Sequence, residues 1–220
     1  MKRFLMAATF VALGLSIVTA QSMQQMQHPN DDPDKMMGGG TLPAGWSARL
    51  DSGSTKPDGV QIAPMGTGIH FKSGPAGIYY KSTDTKSGAY TVTASFRQEE
   101  PSAHPEAYGL FIGGSDLAGP NQKYTYFLIR QDGKYLVKKR AGADTPTVVN
   151  WTDNAAVKKA DASGKMTNTL AIKVAADKVS FLVNGTEVGS QPTAGLDANG
   201  IAGLRVNHNL NLHVDAFSVK

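Results

Sequence analysis

Short runs of alternating apolar and polar residues, separated by turn sequences, fill most of this chain of 220 residues. In the run at 89–97, Tyr90, Val92, Ala94 and Phe96 alternate with threonine and serine, so that on a β-strand all four side chains lie on one face. Similar runs occupy 77–81, 108–112, 124–130, 135–140, 169–175, 178–184, 186–189, 200–206 and 211–219. About ten short strands, several with one apolar and one polar face, predict antiparallel sheets that each pack on one side.

The turn sequences support the same fold class. Asp132-Gly133 and Asn184-Gly185 each stand between two alternating runs, and these dipeptides favour the tight turns of β-hairpins. No stretch after the first forty residues shows the period of apolar residues that a helix requires. We therefore predict an all-β protein, in which residues 41–220 form one antiparallel β-sandwich domain.

The first forty residues have a different character. Two basic residues precede an apolar run at 4–18, and Val-Thr-Ala at 18–20 places short side chains where signal peptidase cleaves. The run is shorter than the roughly 20 apolar residues of a membrane-spanning helix, so we expect a cleaved signal peptide over residues 1–20 and no membrane association afterwards. Residues 21–40 are polar and rich in methionine and glycine, which predicts a flexible leader. These features indicate export to the periplasm or the medium.

Composition excludes several classes of chemistry. The chain has no cysteine, so it has no disulfide, no thiol nucleophile and no cysteine metal site. Its formal net charge is +4, and Lys138-Lys139-Arg140 is its one basic run in the predicted domain, which we interpret as a solvated strand end. Nucleic-acid binding requires a concentrated basic face, so no nucleic-acid partner is expected. No phosphate-binding loop or dinucleotide fingerprint occurs, and we predict no cofactor and no bound metal.

Four stretches have a form that is specific to one fold. They are 87–96, 108–114 with 124–130, 168–185 ending in Phe-Leu-Val-Asn-Gly, and the closing 200–206 with 214–219. In order and form they resemble the concanavalin A-like lectin/glucanase superfamily, over about residues 42–219. The resemblance implies a jelly-roll sandwich. Among exported members it is most similar to 3-keto-disaccharide hydrolase-like and lectin-like domains, which implies a carbohydrate or glycoconjugate as partner.

The carboxylates do not match the catalytic pattern of that superfamily. Laminarinase-type hydrolases of this fold carry Glu-x-Asp-x-x-Glu, since a retaining glycosidase needs two carboxyl groups about 5 Å apart. The glutamates of this chain are Glu99, Glu100, Glu106 and Glu187, and the motif is absent. Glu99 and Glu100 are neighbours, so on a strand they point to opposite faces. We therefore predict no catalytic residue.

Two histidines remain as candidates for polar chemistry. His213 and Asp215 lie two residues apart on one strand face, where they form either a general base with its orienting carboxylate or an outward polar row. His208 lies in a turn at 207–209 that follows a strand, and functional residues concentrate in such loops. We include His208 among the ligand-binding candidates.

The strand at 124–130 carries the most informative aromatic residues. Phe127 and Ile129 take the core side, so Tyr124, Tyr126 and Arg130 lie on the opposite face. A tyrosine ring stacks on the apolar side of a sugar, and an arginine donates several hydrogen bonds to hydroxyls. Cross-strand aromatic pairing that only stabilises the sheet explains the same pattern equally well.

Two further aromatic residues extend this face. Tyr108 joins it from the neighbouring strand if the registers agree, and Trp151 caps it from a loop. The predicted ligand-binding residues are Tyr108, Tyr124, Tyr126, Arg130, Trp151 and His208. The prediction is a non-catalytic, exported carbohydrate-binding domain. A glycoside-cleaving enzyme of the 3-keto-disaccharide hydrolase type and a structural or adhesive envelope domain remain as alternatives.

Overall fold

The computed structural model describes residues 38–102 and 104–220, and within them the chain forms fourteen β-strands and no helix. The strands are β1 (Ser47–Leu50), β2 (Val60–Met65), β3 (Gly68–Ser73), β4 (Gly77–Lys86), β5 (Tyr90–Gln98), β6 (Ala107–Ser115), β7 (Lys123–Arg130), β8 (Lys134–Ala141), β9 (Thr147–Asp153), β10 (Met166–Val174), β11 (Lys178–Val183), β12 (Thr186–Pro192), β13 (Gly200–Val206) and β14 (Asn211–Val219). Accordingly, this part of the chain holds no helix long and apolar enough to cross a membrane. The predicted signal peptide and residues 21–37 of the predicted leader lie outside the described residues.

The strands form two antiparallel sheets of seven strands each. The first sheet has the order β1-β4-β13-β6-β7-β8-β9, and the second sheet has the order β12-β11-β10-β5-β14-β3-β2. The two sheets share one apolar core, so the predicted antiparallel β-sandwich is confirmed. Ahead of the first strand, Gly40 packs so closely on the backbone of Ile62 in β2 that a side chain there would collide with it.

The core is built from the apolar faces of both sheets. Phe181 from β11 packs on Phe127 from β7, with ring centroids 5.2 Å apart, and Phe96 from β5 belongs to the same cluster. All three side chains are fully buried. Burial of such a side chain contributes roughly 1.5–3 kcal/mol relative to exposure, so this layer supplies a large part of the folding free energy.

All ten predicted strands are present, and four further strands were not predicted. The hairpin turn at Asn184-Gly185 has the two positive φ angles, 51° and 83°, that such a turn requires. The unpredicted strands are β1, β2, β3 and β9. The placement of Trp151 in a loop is wrong, because it lies on β9, which pairs with β8. This edge strand is mostly solvent-exposed and lacks a regular alternation, so its pairing with β8 defines it.

Candidate functional site

Strand β7 divides its side chains between the core and the outer face of the first sheet. Phe127 and Ile129 lie in the core between the sheets, whereas Tyr124, Tyr126 and Leu128 belong to a second apolar cluster. The predicted division of this strand is therefore confirmed. The first sheet consequently has apolar side chains on both faces in its centre, not one apolar and one wet face.

Four aromatic rings run in a row across this outer face. The ring centroids of Tyr80 and Phe111 lie 6.4 Å apart, those of Phe111 and Tyr124 lie 5.1 Å apart, and those of Tyr124 and Tyr126 lie 5.5 Å apart. Tyr124 is only 2% exposed and Tyr126 only 7%. The tyrosines thus face away from the core, as predicted, but polar side chains cover most of them. They do not present an open platform.

Tyr108 does not belong to this face. It is the direct cross-strand partner of Ile129, so the two side chains share one side of the sheet, and that side is the core. Its ring packs 5.3 Å from that of Phe96 and has no exposed surface. The prediction that Tyr108 joins Tyr124 and Tyr126 is therefore wrong, because the register places it opposite an inward-facing residue.

Arg205 occupies the centre of the outer face. On β13 it lies between Ile78 of β4 and Gly109 of β6, and its guanidinium is almost fully buried. Two of its nitrogens donate to the carboxylate of Asp51 at 2.5 and 2.6 Å, and its Nε donates to Asn207 Oδ1 at 3.1 Å. Burial alone would raise the pKa of Asp51, but the hydrogen bonds and charge of Arg205 bring it below its ordinary value. The Asp51 carboxylate is therefore ionised at neutral pH.

Three more cations surround the tyrosines. Arg140 is the direct cross-strand partner of Tyr124, and Lys138 is that of Tyr126. The side chain of Arg49 extends from β1 towards the same tyrosines. With its amide oriented to suit its neighbours, Gln122 accepts hydrogen bonds from Arg49 Nη1 at 2.9 Å and from Arg140 at 3.3 Å. The side chains that cover Tyr124 and Tyr126 are thus largely basic.

A groove of about 290 Å³ opens beside this cluster. We call it the outer groove, and its lining residues are Tyr126, Leu128, Leu136, Lys138, Thr147, Asn150, Trp151, Arg205 and Asn207. Burial raises the pKa of Tyr126 to about 12, so its hydroxyl is protonated and able to donate at neutral pH. The groove therefore combines apolar walls with several hydrogen-bonding groups.

Trp151 is held in place by a stack of charged side chains. The guanidinium carbon of Arg130 lies 4.3 Å from the centre of the Trp151 ring, a cation–π contact. Arg130 Nε in turn donates to Asp132 Oδ1 at 2.8 Å. The structure thus brings together Tyr126, Arg130 and Trp151 of the predicted set at one edge of the groove.

His208 lies near this site but outside the groove. It occupies the connection between β13 and β14 and lines a neighbouring cavity of about 540 Å³, together with Asp51. Since Arg205 lines the groove and Asp51 lines this cavity, their ion pair joins the two. Burial raises the pKa of Glu106 here, although His208, His104, Asn207 and Arg205 oppose that rise.

His213 and Asp215, for which the sequence left a pairing or an outward polar row open, do contact each other, on the other sheet. His213 Nε2 and Asp215 Oδ2 lie 2.8 Å apart on the outer face of the second sheet, and Thr67 donates to the same carboxylate at 3.3 Å. His213 is 5% exposed and its ring stacks with that of His70, with centroids 6.2 Å apart. Among the residues with described positions, no three histidines and carboxylates are grouped to hold a metal.

The sequence analysis missed several residues of the outer groove and its surroundings. Arg205 had a usable signal, since Gly203 and Arg205 alternate with the buried Ala202 and Leu204. Lys138 and Arg140 were noticed, but as a solvated strand end. The sequence gives no signal for Asp51, because this residue contacts Arg205 across 154 residues of sequence.

The fold is similar to that of solved structures with low sequence identity. The carbohydrate-binding module CBM66 from Bacillus subtilis aligns with a TM-score of 0.59 and 11% identity, over 80% of this chain and 95% of the module. A protein of unknown function with a galectin-like fold, also from Bacillus subtilis, aligns with a TM-score of 0.52 and 12% identity, over 79% of this chain and 88% of that one. No family model matches, and no curated protein matches the sequence significantly. At these identities the likenesses show the fold, a β-sandwich shared with both structures.

Proposed function

We propose that this protein is an exported carbohydrate-binding protein and that the outer groove holds the sugar. The observation that carries the proposal is the meeting of one indole ring with many convergent hydrogen-bonding groups. Those groups belong to Lys138, Thr147, Asn150, Arg205 and Asn207, which line the groove together with Trp151. A sugar has an apolar face that packs on an aromatic ring and a rim of hydroxyls that need donors and acceptors. The groove offers both.

The groove is fixed in advance of binding. Arg205 is held by Asp51 and Asn207, and Trp151 is held by Arg130. Side chains that are already ordered lose little entropy when a ligand binds, which favours affinity. The volume of about 290 Å³ is at the lower end for small-molecule pockets, so the groove suits a short saccharide segment.

Two other lines support the proposal. One solved structure with a similar fold is a carbohydrate-binding module. The basic pair and apolar run at the start of the sequence favour export, which would bring the protein into contact with extracellular or envelope glycans. A non-catalytic role is favoured because Asp51, the carboxylate beside Arg205, already accepts two hydrogen bonds from that guanidinium.

A glycoside-cleaving activity of the 3-keto-disaccharide hydrolase type is the second candidate. It is favoured by Glu106, because burial raises the pKa of this carboxyl group and a raised pKa is what a glycosidase acid requires. Glu106 does not line the groove, however, so binding is the better supported function. Glu106→Gln separates the two, since it would abolish turnover of a keto-glucoside and leave simple binding nearly unchanged.

The test is a screen of the mature protein against a glycan array, followed by calorimetry. Trp151→Ala should weaken binding of the best ligand roughly 5- to 150-fold, taking loss of a stacked ring as about 1–3 kcal/mol. The matched control is Trp46→Ala. Trp46 is the other tryptophan of the chain and packs against Phe217 away from the groove, at 5.3 Å. Equal effects of the two substitutions, or none from Trp151→Ala, would refute the assignment of the groove.

A further inference from the structure

Three cations on the outer face of the first sheet lack a carboxylate partner. Arg49, Lys138 and Arg140 form no ion pair with any carboxylate whose position the structure describes. Lys138 donates to the hydroxyl of Thr145 at 3.1 Å, and the two arginines share the carbonyl of Gln122. Because Thr145 and Gln122 are uncharged, they do not neutralise the positive charges of the three side chains.

Three other cations of this sheet are neutralised. Arg205 pairs with Asp51, Arg130 pairs with Asp132, and Lys134 pairs with Asp153 at 3.1 Å. The three cations without a direct carboxylate partner lie around Tyr124 and Tyr126, and Arg140 among them also feels the charge of Asp51. This surplus of positive charge is large for this chain, since the formal net charge of +4 includes Lys2 and Arg3 and the remainder carries only +2.

The surplus charges are close to one another and partly removed from water. Arg49 is 9% exposed, and its buried Nε has no hydrogen-bond partner. A buried donor without a partner and like charges held together both raise the free energy of a protein. An anion bound at this place would relieve both costs, because a guanidinium presents a fork of donors that matches a carboxylate or sulfate.

We infer that the saccharide bound by this protein is acidic. This inference rests on the proposed function. The sugar ring packs beside Trp151 in the outer groove. Its anionic groups meet Lys138, which lines the groove, and the two arginines that meet at Gln122, Arg140 from β8 and Arg49 from β1. Of the basic run Lys138-Lys139-Arg140, only Lys138 and Arg140 then bind the ligand, because these two side chains lie on the outer face of the first sheet.

The experiment compares ligands of equal length and different charge. We expect an oligogalacturonate or a sulfated oligosaccharide to bind the mature protein at least tenfold more tightly than a neutral arabino- or galacto-oligosaccharide, with an affinity that falls as salt is added. The carboxylate and sulfate arms identify which anion is preferred. Lys138→Ala should weaken acidic ligands several-fold more than neutral ones, which lose only a hydrogen bond from the ammonium group to a hydroxyl.

The matched control is Lys139→Ala. Lys139 is adjacent in sequence, but its side chain pairs with Asp197 at 3.3 Å, away from the groove. Equal loss from Lys138→Ala and Lys139→Ala would overturn the inference, and so would DNA of equal charge binding as tightly as the acidic saccharide. Neutral saccharides binding as tightly as acidic ones would also overturn it and leave the proposed function intact. Failure of every saccharide to bind would refute the proposed function itself.

Discussion

Asp51, in the loop after β1, and Arg205, at the centre of β13, form a bidentate ion pair that joins residues 154 positions apart in the sequence. The pair is partly buried, since the Arg205 side chain is 10% exposed and that of Asp51 is 36% exposed. It anchors the loop over the outer face and leaves the outer groove on one side and the cavity of His208 on the other.

Asp51→Asn should destabilise the protein by about 3 kcal/mol, because loss of one partner leaves a buried guanidinium without its counter-charge. Urea unfolding of the variant beside the original protein measures this. Asp153→Asn is the control, since Asp153 pairs with Lys134 at the surface and such pairs contribute about 0–1 kcal/mol. Similar losses of stability for Asp51→Asn and Asp153→Asn would show that the buried ion pair stabilises the protein no more than the surface pair does.

The adjacent residues Tyr126 and Phe127 test the two faces of β7. Phe127→Ala should cost about 3–5 kcal/mol of folding stability, because it opens a cavity in the core between the sheets. Tyr126→Ala should cost less, about 2–3 kcal/mol, since its site can fill with water, but it should also weaken ligand binding. Melting curves and calorimetry of both variants give the comparison. A larger loss of stability for Tyr126→Ala would mean that the outer cluster is the main core.

These two neighbours also show how far sequence could lead. Alternation placed Phe127 and Ile129 inside and Tyr126 outside, because the strand period of two holds within any single strand. It could not place Tyr108, whose side depends on its register with Ile129. Nor could it show that arginines from other strands cover Tyr124, because those contacts arise only when β1, β8 and β13 are brought into one sheet. The fold followed from local patterns, whereas the site depended on contacts distant in sequence.

The histidine pair of the second sheet should make stability depend on pH. Burial, then the charge of His213 and to a lesser extent Arg97, lowers the pKa of His70 below 6.5, although Glu99 and Asn211 oppose this. As the pH falls below 6.5 the unfolded chain takes up this proton before the folded protein does, so stability is lost. Asp51 does not contribute to this change, because its lowered pKa places its titration below 3.8.

Melting temperatures between pH 8 and pH 5 measure this dependence. They should fall towards pH 5 in the original protein, and His70→Gln should flatten that fall because glutamine does not titrate. Substitution of His70 should leave saccharide binding unchanged, since the histidine lies on the other sheet. If the melting temperature of His70→Gln falls just as steeply between pH 8 and pH 5, a group other than His70 causes the loss of stability in acid.

Arg130 should act on the ligand through Trp151, as a positioning residue. In Arg130→Lys the positive charge remains, but an ammonium cannot stack its plane on the indole as the guanidinium does at 4.3 Å. We expect ligand affinity to fall about two- to fivefold, since cation–π contacts at exposed sites contribute about 0.5–1 kcal/mol. Stability should change little, because Arg130 lies at the end of its strand and is partly exposed. Fluorescence of the variant in a Trp46→Phe background reports on Trp151 alone and should shift towards that of a more hydrated indole. Weaker binding without any such shift would mean that Arg130 contacts the sugar directly and that its stacking on Trp151 is incidental.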